Sequence, residues 1–357
     1  MESNSYNSET LKIVRDYMGL SQTSFAEKLG ISQAVISKIE KGQKVLEADI
    51  VGKCSDYFNE FFFKKNIDAP NQKLFYRKLV STPKSTLNLF EARLNLISMA
   101  LKEVLEIVDL PENKIPKLDA EDFNLNFEEI ATTIRLELGL NGSPIKNIVN
   151  LLEKNGVIIH FFDYSFISPE NRKFDGVSFY IEGTPVMLIN NKIPNSRKVF
   201  TIAHELFHLI AHFDNIISIN RDIEDEANKF ASAFLAPEKE IRDSFKRLTF
   251  DKLCDLKSQW KLSIAALLYR AKDIGSISSD TYRVWVTKLA KYRKKEPYEF
   301  ELDNTQLLRQ TFELITKEKN NFFYDLGYKD NVVNELFNTV ITTPNKKKIE
   351  TKLRIVI

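Results

Sequence analysis

The chain has 357 residues, 43% of them apolar and 28% charged, with a formal net charge of +2 at neutral pH. Those proportions belong to folded protein with room for two or three domains, and they exclude a disordered chain. The near-neutral balance exerts no global pull toward nucleic acid or an anionic membrane, so any such binding has to come from a local patch. Apolar runs are short or interrupted, as residues 199–212 are by Glu205 and the histidines, so no transmembrane helix is expected. The N-terminal residues lack the basic start and apolar block of a secretory signal, and Cys54 and Cys254 form no Cys-x-x-Cys pair. A cytoplasmic protein with two buried thiols is the expectation.

Residues 8–63 read as short, well-punctuated helices. Leu11, Val14 and Met18 line a first helix that Gly19 ends. Ser21 is placed to cap a second helix over 22–29, with Phe25, Ala26 and Leu29 inward and Gly30 as its stop. Ser32 opens a third, carrying Val35, Ile36 and Ile39 before Gly42. Two short helices joined through Leu29-Gly30-Ile31-Ser32 make a helix-turn-helix. In such a unit the second helix lies in the major groove with its N-terminal residues nearest the bases, here Gln33, Ala34 and Ser37. Gln33 can bond bidentately to adenine, and Lys38, Lys41 and Lys44 can meet phosphates. Gln22, at the start of the preceding helix, completes the candidate contacts to double-stranded DNA. Residues 20–42 closely resemble the phage-repressor or Cro-like helix-turn-helix family, called Xre-type. Glu27, Glu40, Glu47 and Asp49 dilute the basic patch, so one copy should bind weakly and a dimer would supply the rest. The competing reading is a small helical domain kept for protein contacts.

Pro70 and Pro83 break the helical pattern on either side of Phe75-Tyr76-Arg77-Lys78 and mark a domain boundary. Leu87, Phe90, Leu94, Ile97, Leu101, Val104 and Val108 then alternate spacings of three and four, which suits a coiled-coil dimer seam or a helix packed on its own chain.

Residues 127–138 and 145–154 read as helices, 156–162 as a short buried strand, and 176–190 as a hairpin turning at Glu182-Gly183-Thr184. The next helix, over 197–211, holds His204-Glu205-Leu206-Phe207-His208. Residues four apart share a helix face, so His204 and His208 can close on one metal ion. Glu205 points about a quarter-turn away, where its carboxylate reaches a water at the metal without being a ligand. A catalytic zinc site takes a third protein ligand. His212 lies roughly 12 Å from His204 along a straight helix, which makes it a helix-end residue or a support behind the ligands. The third ligand is sought in residues 222–237, where Ile223, Ala227, Phe230, Ala231 and Phe234 form the inward face of a helix. Glu224 shares that face and is the first candidate, while Glu226 lies off it and is the alternative. His160 and Tyr180 are candidate oxyanion donors.

His204-Glu205-x-x-His208-x-x-x-His212, followed by Glu224-x-x-Ala227-Asn228-x-Phe230-Ala231-x-x-Phe234-Leu235-x-Pro237, resembles the ImmA/IrrE family of zinc metallopeptidases. Members of that family often carry an Xre-type helix-turn-helix in front. The resemblance covers about residues 1–65 and 125–295. It implies a zinc ion held by His204, His208 and Glu224, with Glu205 as the general base that takes a proton from the attacking water and passes it to the leaving amine. Phe207 departs from the family, in which a small residue is usual.

Residues 251–258 and 263–272 read as a second helix-turn-helix-like pair, with packing as the simpler role, and basic residues follow at Lys291, Arg293, Lys294, Lys295 and again at Lys346-Lys347-Lys348. The expected fold class is therefore multidomain. An all-α helix-turn-helix domain (1–66) is followed by a linker and long helix (67–122) and an α+β zincin-like metallopeptidase core (123–245). A helix-turn-helix-like extension (246–297) and a mostly helical C-terminal region of unreadable role (298–357) complete it, with helices over 305–317 and 331–340. The functional expectation is a DNA-binding regulatory zinc metallopeptidase acting on a specific protein, which the resemblance makes a repressor or antitoxin-like regulator. The rivals are a transcriptional regulator whose metal domain senses without turnover, and an antitoxin that binds a partner protein.

Overall fold

The computed structural model describes residues 6–67, 83–167, 175–213, 215, 217–218, 220–292, 296–319, 321–337 and 353–354. The expectations for Phe75-Tyr76-Arg77-Lys78, Arg293 to Lys295 and Lys346 to Lys348 lie outside the described residues. The chain opens with α1 (Ser8–Tyr17), α2 (Gln22–Leu29), α3 (Gln33–Glu40), α4 (Ala48–Lys53) and the long α5 (Lys84–Ile107), which runs into β1 (Val108–Asp109). Next come α6 (Phe127–Glu137), α7 (Ile148–Lys154), β2 (Ile158–Phe162), β3 (Gly176–Ile181), β4 (Thr184–Asn190), α8 (Asn195–Phe207) and α9 (Ile223–Leu235). Then follow α10 (Glu238–Ile241), α11 (Phe250–Trp260), α12 (Ile264–Asp273), α13 (Ser279–Lys288), α14 (Leu307–Glu318), α15 (Phe322–Asp325), α16 (Asp330–Phe337) and β5 (Leu353–Arg354), which pairs in parallel with β1. No helix among the described residues is long and apolar enough to cross a membrane. Both cysteines are free and buried.

The helix-turn-helix forms where its punctuation placed it. Ser21 Oγ accepts from Ser24 N at 3.1 Å, and Gly30 takes the left-handed conformation at φ 65° that ends α2. Ser32 stands at the start of α3 in extended conformation but makes no side-chain capping bond.

Three strands form a sheet in the order β2-β4-β3, with β2 parallel and β3 antiparallel to β4. Glu182 and Gly183, at φ 47° and 79°, supply the two positive dihedrals of a tight hairpin loop. Because successive strand residues point to opposite faces, the sheet divides two cores. Val177, Phe179, Val186 and Leu188 enter one core, and Met187, Ile189 and Ile159 the other. The second core holds α8 and α9, together with α11 and α12, so the second helix pair packs in the core that carries the metal motif.

The first core absorbs α5. Phe90, Leu94, Ile97, Leu101, Val104 and Val108 are buried together with residues of α1, the sheet and the C-terminal helices. The heptad stripe thus finds its apolar partner within its own chain, and these side chains are unavailable for the two-fold seam that the spacing also allowed. The C-terminal region, unreadable in sequence, is the wedge that closes this core. Tyr17 Oη of α1 donates to the Glu335 carboxylate of α16, which also receives Arg93 of α5. Tyr328 Oη donates to Leu96 O at 2.8 Å.

The strap between α13 and α14 closes the other core by helix capping. Lys257 Nζ, fully buried, pairs with Glu296 at 3.0 Å and Glu299 at 2.8 Å. Glu296 accepts from Ile264 N and Ala265 N at the start of α12, and Glu299 accepts from Ser196 N at the start of α8. Carboxylates at helix N-termini satisfy unpaired amides and meet the positive end of the helix dipole.

His160, an oxyanion candidate by sequence, belongs to the first core instead. Its Nε2–H donates to Leu336 O at 2.7 Å, and burial pushes its imidazole down to about 4 from the usual 6.5. The unfolded chain therefore binds this proton more tightly than the folded one between those values. The stability that neutral His160 leaves intact is full above pH 6.5 and falls toward pH 4, by up to about 3 kcal/mol. Urea denaturation across that range should show the loss, and His160→Asn should flatten it; an equally steep pH dependence in the variant would exclude His160 as its source.

Candidate metal centre and DNA face

The metal motif lies on α8 and on the π turn His208–His212 that continues it. His204 Nε2 and His208 Nε2 face one another at 3.1 Å, and the Glu224 carboxylate, from the first turn of α9, lies 3.5 Å from the former and 3.6 Å from the latter. One donor atom from each of the three residues falls within 4.8 Å of the others. Ala227 and Ala231 are fully buried where α9 packs on α8, so their small side chains let Glu224 come this close. Phe207 fills the space behind, stacked on Phe230 at 4.6 Å and edge-on to Phe127 at 5.8 Å.

The opposite ring nitrogens are committed to protein partners. His204 Nδ1–H donates to Asn228 Oδ1 at 3.0 Å, and His208 Nδ1 meets His212 Nδ1 at 2.7 Å. A neutral imidazole carrying its proton on Nδ1 has a bare lone pair on Nε2. Two such nitrogens beside a carboxylate suit a cation between them, and the donor set fits a zinc ion of the two-nitrogen, one-oxygen kind. Burial works against charge on His204, yet Glu224, Glu205 and Asn228 outweigh it and raise its affinity for a proton. His208 is held well below the imidazole range by burial and by its histidine neighbours.

Glu205 is buried against β3. Ser178 Oγ donates to its Oε2 at 2.7 Å, and burial pushes its carboxyl up to about 7, against the opposing pull of His204 and Ser178. A Cβ on Gly176 would lie 2.7 Å from Thr201 Cγ2 and 3.1 Å from Glu205 Oε1, so glycine is what lets this strand approach. A carboxylate near neutrality is suited to taking and returning a proton at physiological pH.

Glu226 is turned inward, contrary to its expected place off the buried face. His212 Nε2–H donates to its Oε2 at 3.2 Å, and Arg221 clasps both its oxygens at 2.8 and 2.7 Å. Against the penalty of burial, these partners hold its carboxyl down at about 2. The π turn brings His212 beneath the first turn of α9, so what the helix face alone assigned to solvent is occupied by a histidine and an arginine. Tyr180 Oη donates to Leu209 O at 3.1 Å, at the π turn and not at the three converging donors. Ser178 escaped sequence reading because it lies outside both motifs, and Asn228, though part of the second motif, was given no role. Its place at i+4 from Glu224 on α9 is the signal that gives it one.

On the helix-turn-helix, Gln33, Ala34, Lys38 and Lys41 are exposed, and Gln22 and Ser37 half-buried. Gln33 Nε2 donates to Gln22 Oε1 at 2.8 Å, Gln22 Nε2 to Glu40 Oε2 at 2.8 Å, and Arg15 pins Glu40 from within. Glu40, read from sequence as a charge diluting the basic patch, is internally paired.

Residues 160–272 match the family model described as the IrrE N-terminal-like domain, a peptidase family, and residues 11–60 match a helix-turn-helix model. The chain joins a helix-turn-helix domain to an IrrE-like domain. A protein of Pyrococcus furiosus named as an HTH-type transcriptional regulatory protein is 29% identical over 157 residues, covering 42% of this chain and 47% of that relative. The chain thus spans about half the length of the curated relative it matches. Within the IrrE-like domain lie both histidines, Glu205, Glu224 and the residues that brace them.

Titration against a chromophoric chelator should find one zinc site in the full chain and its loss in His204→Ala and Glu224→Ala. Undiminished zinc in either variant would remove that residue from the donor set. Because a proton competes for His204, zinc binding should weaken as pH falls, beginning above the ordinary imidazole range.

Proposed function

We propose that this chain is a cytoplasmic, DNA-binding regulatory zinc metallopeptidase that hydrolyses a peptide bond in a specific protein, a repressor or antitoxin-like regulator. One observation carries the reading: three metal donors converge beside a buried carboxyl near neutrality, in a chain that also bears a helix-turn-helix. His204, His208 and Glu224 hold the ion. When bound, zinc supplies Lewis-acid chemistry, polarising a carbonyl and acidifying water.

The chain's own groups do the rest. Asn228 orients His204 through its Nδ1–H. Ser178 fixes one oxygen of Glu205, so the carboxylate's remaining capacity is directed to water. Glu205 takes the proton of the attacking water, holds it, and returns it to the leaving amine. Burial raises its carboxyl in the metal-free chain, and falling pH disables it as a base by protonation.

For DNA, the Gln33–Gln22–Glu40–Arg15 chain holds Gln33 ready at the start of α3 for base edges, while Lys38 and Lys41 are exposed for phosphate. Ala34 and Ser37 lie on the same reading helix.

Purified protein and a Glu205→Gln variant, incubated with the products of neighbouring genes, should differ in limited cleavage read by mass spectrometry. The variant should keep zinc and lose about 10²- to 10⁴-fold in rate. Cleavage by both proteins, or by neither, would count against the proposed mechanism. In binding assays across a salt series, Gln33→Ala should relax base preference, whereas Lys41→Ala should weaken all sequences alike and lower the salt slope by about 1.

A further inference from the structure

His212 is fully buried, conducts no step of the proposed hydrolysis, and is not among the three residues whose donor atoms converge, yet it sits in a chain of hydrogen bonds that starts at one of the donors. We propose that His212 is a positioning residue: with Glu226 and Arg221 it fixes the tautomer of His208, so that the bare Nε2 of that imidazole is preset toward the metal.

The proton assignment follows from the far end inward. The Glu226 carboxylate accepts only, and Arg221 grips it through two nitrogens at 2.8 and 2.7 Å. His212 must therefore place its proton on Nε2 to make the 3.2 Å bond to Glu226. A neutral imidazole protonated there has a bare Nδ1, which accepts at 2.7 Å and obliges His208 to donate from its own Nδ1. That leaves His208 Nε2 bare, and this is the atom that faces His204 Nε2 and the Glu224 carboxylate. Arg221 already supplies the positive partner of Glu226.

The π turn makes the contact. Over His208–His212 the helix widens, and the two rings meet with centroids 4.9 Å apart and planes tilted by 53°, like nitrogen to like nitrogen. Phe207 packs edge-on to the His212 ring at 5.0 Å and keeps it there. A partner that accepts from a metal-binding imidazole orients the ring and raises its basicity, and losing such a partner lowers metal affinity about 10- to 100-fold.

This inference rests on the metal-centre reading, and its test separates the two. Long-range proton–nitrogen NMR on the metal-free full chain should find His208 protonated at Nδ1 and bare at Nε2. His212→Phe should bind zinc about 10- to 100-fold more weakly and shift the visible spectrum of the cobalt-substituted protein, whereas His212→Gln, whose amide oxygen still accepts, should recover most of the affinity. A proton on Nε2 of His208, or a folded His212→Phe with wild-type zinc affinity and an unchanged cobalt spectrum, would overturn the relay. Wild-type protein that binds neither metal would sink the metal reading alone, because the tautomer measurement needs no metal and no variant.

Discussion

Two imidazole nitrogens and a carboxylate converge in the protein at distances that suit a shared cation. Everything near α8 bears on keeping these groups together. Asn228 and His212 occupy the outward nitrogens of the two rings, so neither imidazole can turn its lone pair away. Arg221 and Glu226 anchor His212 in turn, and the Phe207–Phe230 stack closes the back of the site. The cost of holding bare donors together is offset by packing: α8 lies between the sheet and α9 in a continuous apolar core.

The sheet links this centre to the DNA-binding half. Gly176 and Ser178 of β3 abut α8, while Val177 and Phe179 of the same strand belong to the core shared with α1 and α5. A strand two residues long in its repeat thus touches Glu205 on one side and the helix-turn-helix core on the other. Glu335 of α16 adds a direct tie between Tyr17 of the first helix and Arg93 of the fifth. The DNA-binding helices are therefore packed into the body of the chain, not tethered beside it.

Much of this was legible from local pattern. The helix-turn-helix has capping serine, stop glycine and inward apolar residues within a few positions of each other, and local rules suffice. The hairpin at Glu182-Gly183 and the i, i+4 pair His204 and His208 are equally local. Glu224 was accessible because its spacing to Ala227 and Ala231 places it on the packed face of α9. Glu226 was misjudged because the same periodicity knows nothing of the π turn that slides His212 beneath it. His160 was named as an oxyanion candidate, but its partner is a backbone carbonyl 176 residues away.

The sequence by itself determined which segments become helices and strands, where the helix-turn-helix lies, and which residues could meet as metal donors. These follow from short-range sterics, capping and periodicity, which act within a turn or two. Only the tertiary structure decided that α5 buries its heptad stripe against its own chain, that residues 307–337 close the first core, and that Ser178, Asn228, His212 and Arg221 brace the site. Those outcomes depend on which faces meet across long stretches of chain, and an amphipathic stripe specifies that it must be covered without specifying by what.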